Sequence, residues 1–175
     1  MAPVLQDLGR RFEVERTSLK PFPTCRFTHA PAAALQGILR RSPAAPGDLD
    51  QVEARVTSAA FAEVCEPLEA KRQPQTRVHA QFSLPHAPAC IAHHGTVALA
   101  DLTEDAVRRP ELLALADRVR CLADPALGGR RGEKIGEAEV QAWRRDGSKR
   151  SVRALLPGGS DRSLTTADCL AWPRV

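Results

Sequence analysis

The chain alternates between two hydrophobic periods. From Pro31 to Arg41 the apolar side chains Leu35, Ile38 and Leu39 fall on one side of a 3.6-residue helix, with Pro31 in its first turn. Val52, Ala54 and Val56 alternate with Glu53, Arg55 and Thr57, the period of a half-buried strand over 52–57. Ser83 is placed to cap a helix that begins near Leu84 and runs through Ile91 toward Leu99, with Pro85 early enough to be tolerated. Thr103 and Pro110 start two short helices, the second carrying Leu112, Leu115 and Val119 on one side. Glu137–Trp143 and Lys149–Leu155 flank Asp146-Gly147, a dipeptide whose second residue accepts the positive φ of a tight hairpin turn.

Polar and proline-rich stretches separate these segments. Residues 12–19 read as extended, and Pro21 and Pro23 keep the following stretch extended because proline fixes φ and biases its predecessor away from helix. Residues 42–50 and 66–80 read as loops, and 121–136 as a Gly- and Arg-rich connection. Leu164–Trp172 reads as a last short helix capped by Thr165 or Thr166. Strands, segregated helices and a hairpin together predict an α+β fold, and 175 residues suit one domain spanning 1–175.

Composition narrows the partners. Aromatics make up 4% with no Tyr, so Ala, Val and Leu must supply most of the core, each burying little area. Small side chains of this kind fit a core supplemented by a partner surface. The net charge of +4 comes from isolated pairs such as Arg40-Arg41 and Arg130-Arg131, without interleaved aromatics, which argues against a nucleic-acid partner. A modest positive balance suits small anions such as carboxylates. Five cysteines at 25, 65, 90, 121 and 169 contain no CxxC pair, which fits reduced thiols in a cytoplasmic protein. No secretion signal is visible and no apolar run is long enough for a membrane span.

Candidate chemistry gathers at two places. Lys20, Arg26 and His29 offer three potential cations close to the start of a helix, whose unpaired N–H groups also favour an anion. Lys20 can in addition protonate a leaving group or polarise a carbonyl. The same spacing also fits a basic surface loop with His29 as a capping or packed residue. His79, His86, His93 and His94 bring no acidic residue at helical spacing, so a metal site is not expected. His86, near its helix start, is the candidate for proton transfer or substrate hydrogen bonding; a structurally bonded histidine fits equally well. Gly128-Gly129-Arg130-Arg131-Gly132 lacks the Lys-Ser/Thr ending of a phosphate cradle and reads as a solvated loop. Cys25 stands between Lys20 and Arg26 but has no histidine pairing that would mark a nucleophile.

Two blocks carry a resemblance. Lys20-Pro-Phe-Pro-Thr-Cys-Arg-Phe-Thr-His29, followed by Ala32-Ala-Ala-Leu35, resembles the Lys-x-Tyr/Phe-Pro segment of the MmgE/PrpD family, which leads into a Thr-His pair and a helix. Ala80-Gln-Phe-Ser-Leu-Pro-His-Ala-Pro-Ala-Cys-Ile-Ala-His-His-Gly95 resembles that family's Ala-Lys-Phe-Ser-Leu-Pro-Tyr-x-x-Ala stretch, and Gly158–Trp172 is similar to its closing segment. The family includes 2-methylcitrate dehydratase, cis-aconitate decarboxylase and iminodisuccinate epimerase. The resemblance implies the smaller, C-terminal domain of such an enzyme: an antiparallel sheet with helices packed on one side. It also implies a homodimer and lyase or isomerase chemistry on a small polycarboxylate, with no cofactor or metal. It places Lys20 and His86 at active-site positions and His29 at the histidine of the Thr-His pair. Taken with the spacing of Arg26, this makes Lys20 and His86 the expected catalytic residues and Lys20, Arg26 and His29 the expected substrate-binding ones. His86 falls where the family has Tyr, which keeps a hydrogen-bonding group but changes its pKa and reach. The family's other catalytic residues lie in an N-terminal helical domain with no counterpart in residues 1–175, so a separate helical-domain subunit is the expected partner. The alternative is a non-catalytic remnant acting as a binding or regulatory module.

Overall fold

The alternation at Val52, Ala54 and Val56 forms the middle of the sheet. In the computed structural model, which describes residues 9–10, 20–128 and 136–154, β1 runs Leu49–Val56 and is paired on both sides. β2 (Val119–Ala123) lies parallel to it, with Ala54 opposite Cys121. β3 (Ala138–Arg144) lies antiparallel on the other side, with Ala54 opposite Val140, and β4 (Lys149–Ala154) completes the order β2-β1-β3-β4. Asp146-Gly147 turns the β3–β4 hairpin as expected, Gly147 taking φ 82° and donating its N–H to the Arg144 carbonyl at 3.0 Å.

The α+β class stands, and one expectation about the sheet is corrected. It is mixed rather than antiparallel, because β2 joins β1 in parallel after the helices between them have carried the chain back across. Residues 121–136 therefore do not begin as a connection, and Val119 belongs to β2 rather than to the helix before it. Five residues with only Val119 and Cys121 buried are too short to display a strand period.

Among the described residues six helices accompany the sheet: α1 (His29–Arg41), α2 (Ser58–Val64), α3 (Leu68–Arg72), α4 (Arg77–Gln81), α5 (His86–His94) and α6 (Pro110–Ala116). Helix α1 packs on β3, β4 and α5; α5 packs on α6, and α2 on β2. The core holds Leu35, Ile38, Val52, Ala54, Val56, Leu84, Ile91, Leu112, Val119 and Val140, with Ala30, Ala32, Ala34, Ala87 and Ala89 buried beside them. These alanines let α1 and α5 approach closely. The other face of the sheet carries Glu53, Arg55, Glu139, Gln141, Trp143 and Lys149, because side chains alternate along each strand. There Arg55 pairs with Glu53 at 3.0 Å, and the Lys149 ammonium sits 4.7 Å from the Trp143 ring centre.

Residues 66–80, expected as a loop, contain α3 and α4. Both are single turns fixed by contacts rather than by periodicity: the Thr76 hydroxyl accepts from the His79 N–H at 3.2 Å, and Lys71 Nζ donates to the Glu63 and Phe82 carbonyls at 2.8 Å each. Helix α5 is shorter than 84–99. Ser83 Oγ accepts from the His86 N–H at 3.0 Å, and Gly95, at φ 87°, ends the helix in the left-handed region. Between α5 and α6 the short helix expected from Thr103 is a 3-10 turn, Ala106–Arg108, with Thr103 Oγ1 accepting from the Ala106 N–H. The extended stretch 12–19, the tail helix 164–172 and residues 129–132 of the Gly-Arg loop lie outside the described residues.

Leu35 is fully buried under the sheet whereas Leu99 is 61% exposed. Leu35→Ala is expected to destabilise by about 2–5 kcal/mol and Leu99→Ala by no more than about 0.5 kcal/mol, read as shifts in urea midpoint at constant m-value.

Candidate functional site

The stretch from Lys20 to His29 is built around one main-chain carbonyl. Lys20 Nζ donates to the Thr24 oxygen at 3.3 Å, and His29 Nε2 lies 3.2 Å from the same oxygen. A carbonyl can only accept, so His29 carries its proton on Nε2 and leaves Nδ1 as a bare acceptor. The Thr28 hydroxyl donates to the Cys25 carbonyl at 2.9 Å and therefore accepts from the Thr24 hydroxyl at 2.8 Å. These bonds close the loop over the 3-10 turn Arg26–Thr28 that feeds α1. Phe22 packs edge-on against the His29 ring, with centroids 5.6 Å apart.

Burial decides the charge of His29. It pushes the imidazole pKa down to about 4; the Thr24 carbonyl opposes this, and the Lys20 and Arg26 cations add to it. The expected triad of cations is thus two cations and a neutral ring. Lys20 is exposed, and the partly buried Arg26 has an Nε–H that is shielded from water and unpaired among the described residues. An ammonium and a guanidinium on one loop are cations suited to a carboxylate. The neutral His29, fully buried, adds no positive charge to them.

His86 stands apart from that loop. It is fully buried at the start of α5, with Nε2 3.3 Å from the Asp101 carbonyl and 3.5 Å from Cys90 Sγ. Its Nδ1 is buried and unpaired, and burial lowers its pKa as well. The link between the two sequence blocks is Gln81, at the end of α4. Its main-chain oxygen accepts from the Cys25 N–H at 2.7 Å, and its side-chain amide donates to the Pro23 carbonyl at 3.1 Å. The structure thus brings Lys20, Arg26 and His29 together and ties block 80–95 to them through Gln81. The hydrogen bonds of His86 run instead to Ser83, Asp101 and Cys90.

Among the described residues no three His, Cys, Asp or Glu side chains converge as metal ligands do. His79 is exposed on α4, and His93 and His94 meet edge to face at the far end of α5. Burial raises the Cys90 thiol pKa, so Cys90 is a thiol and not a nucleophilic thiolate. No helix among the described residues is long and apolar enough to cross a membrane.

Residues 22–171 match the family model of the MmgE/PrpD C-terminal domain. The chain belongs to the MmgE/PrpD family. Comparison with individually curated proteins finds no match. The MmgE/PrpD match takes in the second block whole and the first from Phe22 onward, with Arg26, His29, Gln81 and His86, and begins two residues after Lys20. Gln81 and Asp101 escaped the sequence reading. Gln81 lies inside the second block but acts through its main chain as much as its amide, and Asp101 lies beyond that block.

The depressed His29 pKa links stability to pH. Above 6.5 the ring is neutral in both folded and unfolded chains; as pH falls toward about 4 only the unfolded chain takes up the proton, so stability is lost across that window. The urea midpoint is expected to fall between pH 6.5 and pH 4. His29→Asn should flatten that dependence, and an unchanged slope in a folded variant contradicts the assignment.

Proposed function

We propose that this MmgE/PrpD domain contributes the carboxylate-binding half of a lyase or isomerase site for a small polycarboxylate. The reaction is a dehydration, decarboxylation or epimerisation. The observation that carries this reading is the pair of cations Lys20 and Arg26 on the loop before α1, Arg26 inside the family-matched residues and Lys20 two residues before them. In this reading Lys20 and Arg26 hold a substrate carboxylate, and His86 supplies a neutral Nδ1 acceptor for a substrate hydroxyl or proton. The proton beside the carboxylate is removed by a group from a helical domain, in the same polypeptide or another, that closes the pocket. A homodimer in the cytoplasm, with no metal or cofactor, accompanies this proposal.

A second reading, a binding module without chemistry, draws support from the same histidines. Both rings are fully buried, and both Nε2 atoms are engaged with main-chain carbonyls. The two readings separate in an assay of 2-methylcitrate, cis-aconitate and iminodisuccinate with a helical-domain partner supplied. Turnover that needs both components supports the enzyme. Retention of the polycarboxylate without turnover supports the module.

For the enzyme, Lys20→Ala and Arg26→Ala are each expected to lower kcat/KM roughly 10- to 100-fold. That range reflects loss of a charged hydrogen bond, about 1.5–3 kcal/mol. Full activity in both variants sinks the site assignment.

A further inference from the structure

Asp101 holds two histidines at once. Its carboxylate accepts from the Ala98 N–H at 2.7 Å and meets His94 Nε2 at 3.0 Å, while its main-chain carbonyl faces His86 Nε2 at 3.3 Å. The residue is 4% exposed and begins no helix of its own; it sits inside the 3-10 turn Leu99–Leu102 that follows α5. The carboxylate is therefore a clamp on the turn, with one anchor at Ala98 just before the turn and one on the last turn of α5. What the clamp fixes is the position of the Asp101 carbonyl.

We infer that Asp101 is a positioning residue for His86: its clamped carbonyl accepts a hydrogen bond from Nε2–H and so leaves Nδ1 as the ring's open acceptor. Two arrangements of the neutral ring are possible, and the surroundings choose between them. With the proton on Nε2, the ring donates to a carbonyl, a strong acceptor. With the proton on Nδ1, the Nε2 lone pair faces the carbonyl lone pairs, and only the Cys90 thiol, a weak donor, offsets that repulsion. A buried N–H at Nδ1 would then also be left unpaired. Both terms favour Nε2–H. The charged and titratable groups bearing on this corner are Asp101 against the ring, Cys90 beside it, His94 on the carboxylate, and Arg109 acting on Cys90 from the residue before α6.

The functional consequence rests on the role proposed for His86, but the tautomer does not. A ring with a bare Nδ1 can accept a proton or a hydroxyl hydrogen bond there and cannot donate from it. It would therefore serve as base or acceptor, where the family's tyrosine position carries a group that can also donate.

The test is long-range 1H–15N correlation of the histidine rings in the uniformly labelled full chain, with the His86 signals identified by their loss in His86→Asn. The wild-type ring is expected to show a protonated-type shift at Nε2 and a bare-type shift at Nδ1 near neutral pH. Asp101→Ala should move both nitrogens toward a common averaged shift, and Asp101→Asn, which keeps an acceptor for the Ala98 N–H, should restore the separation. A wild-type ring protonated on Nδ1, or wild-type shifts in folded Asp101→Ala, overturns the inference. If Asp101→Ala does not fold, His94→Ala decides: it removes one anchor and leaves the other, and should give a partial move in the same direction, whereas unchanged shifts overturn the clamp. The measurement needs no turnover, so it returns the same answer whether or not the lyase reading survives.

Discussion

A neutral imidazole buried from water needs an acceptor for its one N–H, and both ends of this site are arranged around meeting that need. His29 and His86 are each fully buried at the first residue of a helix, and each directs Nε2 at a main-chain carbonyl in a neighbouring turn. For His29 the carbonyl belongs to Thr24, so satisfying the ring folds the Lys20–Thr28 loop back onto α1. For His86 it belongs to Asp101, so satisfying the ring draws the 99–102 turn against α5. Without those partners each ring would leave a polar group unsatisfied in the interior, a cost of about 1–3 kcal/mol. The loops that carry the candidate chemistry are thus ordered by the same bonds that make the rings tolerable inside.

The rest of the domain keeps the two helices in place. Helix α1 lies against β3 and β4, α5 lies against α1, and Ala30, Ala32, Ala34, Ala87 and Ala89 keep the layers close. An alanine-rich core buries less area per residue than one built of leucine and phenylalanine, so it relies on close approach. Gln81 then joins the loop before α1 to the end of α4 with one donated and one accepted bond. Through it the two blocks of the family pattern are hydrogen-bonded to each other.

Much of this was legible in the sequence where a period extends over several residues. The alternation at Val52, Ala54 and Val56, the helical spacing of Leu35 and Ile38, and the Asp146-Gly147 turn each state their structure locally. What was hidden depends on distant partners. β2 shows only Val119 and Cys121 buried, and its parallel pairing requires the whole excursion through α2 to α6. α3 and α4 are single turns held by Lys71 and Thr76. The site was half legible. The Lys20, Arg26 and His29 cluster was visible, but a sequence cannot show that burial strips the charge from His29, nor that His86 answers to Asp101 rather than to the basic loop.

The positive charge of the Lys20–His29 stretch therefore resides on Lys20 and Arg26, with the neutral His29 ring buried behind them. That division is a statement about one protonation state, and it can be read directly. Titration of the His29 ring nitrogens by NMR in the folded chain is the most direct measurement. Nδ1 is expected to stay bare through neutral pH and to take up a proton only near pH 4. A midpoint close to the ordinary histidine value of about 6.5, with the ring still folded in place, would contradict it and return His29 to the set of cations.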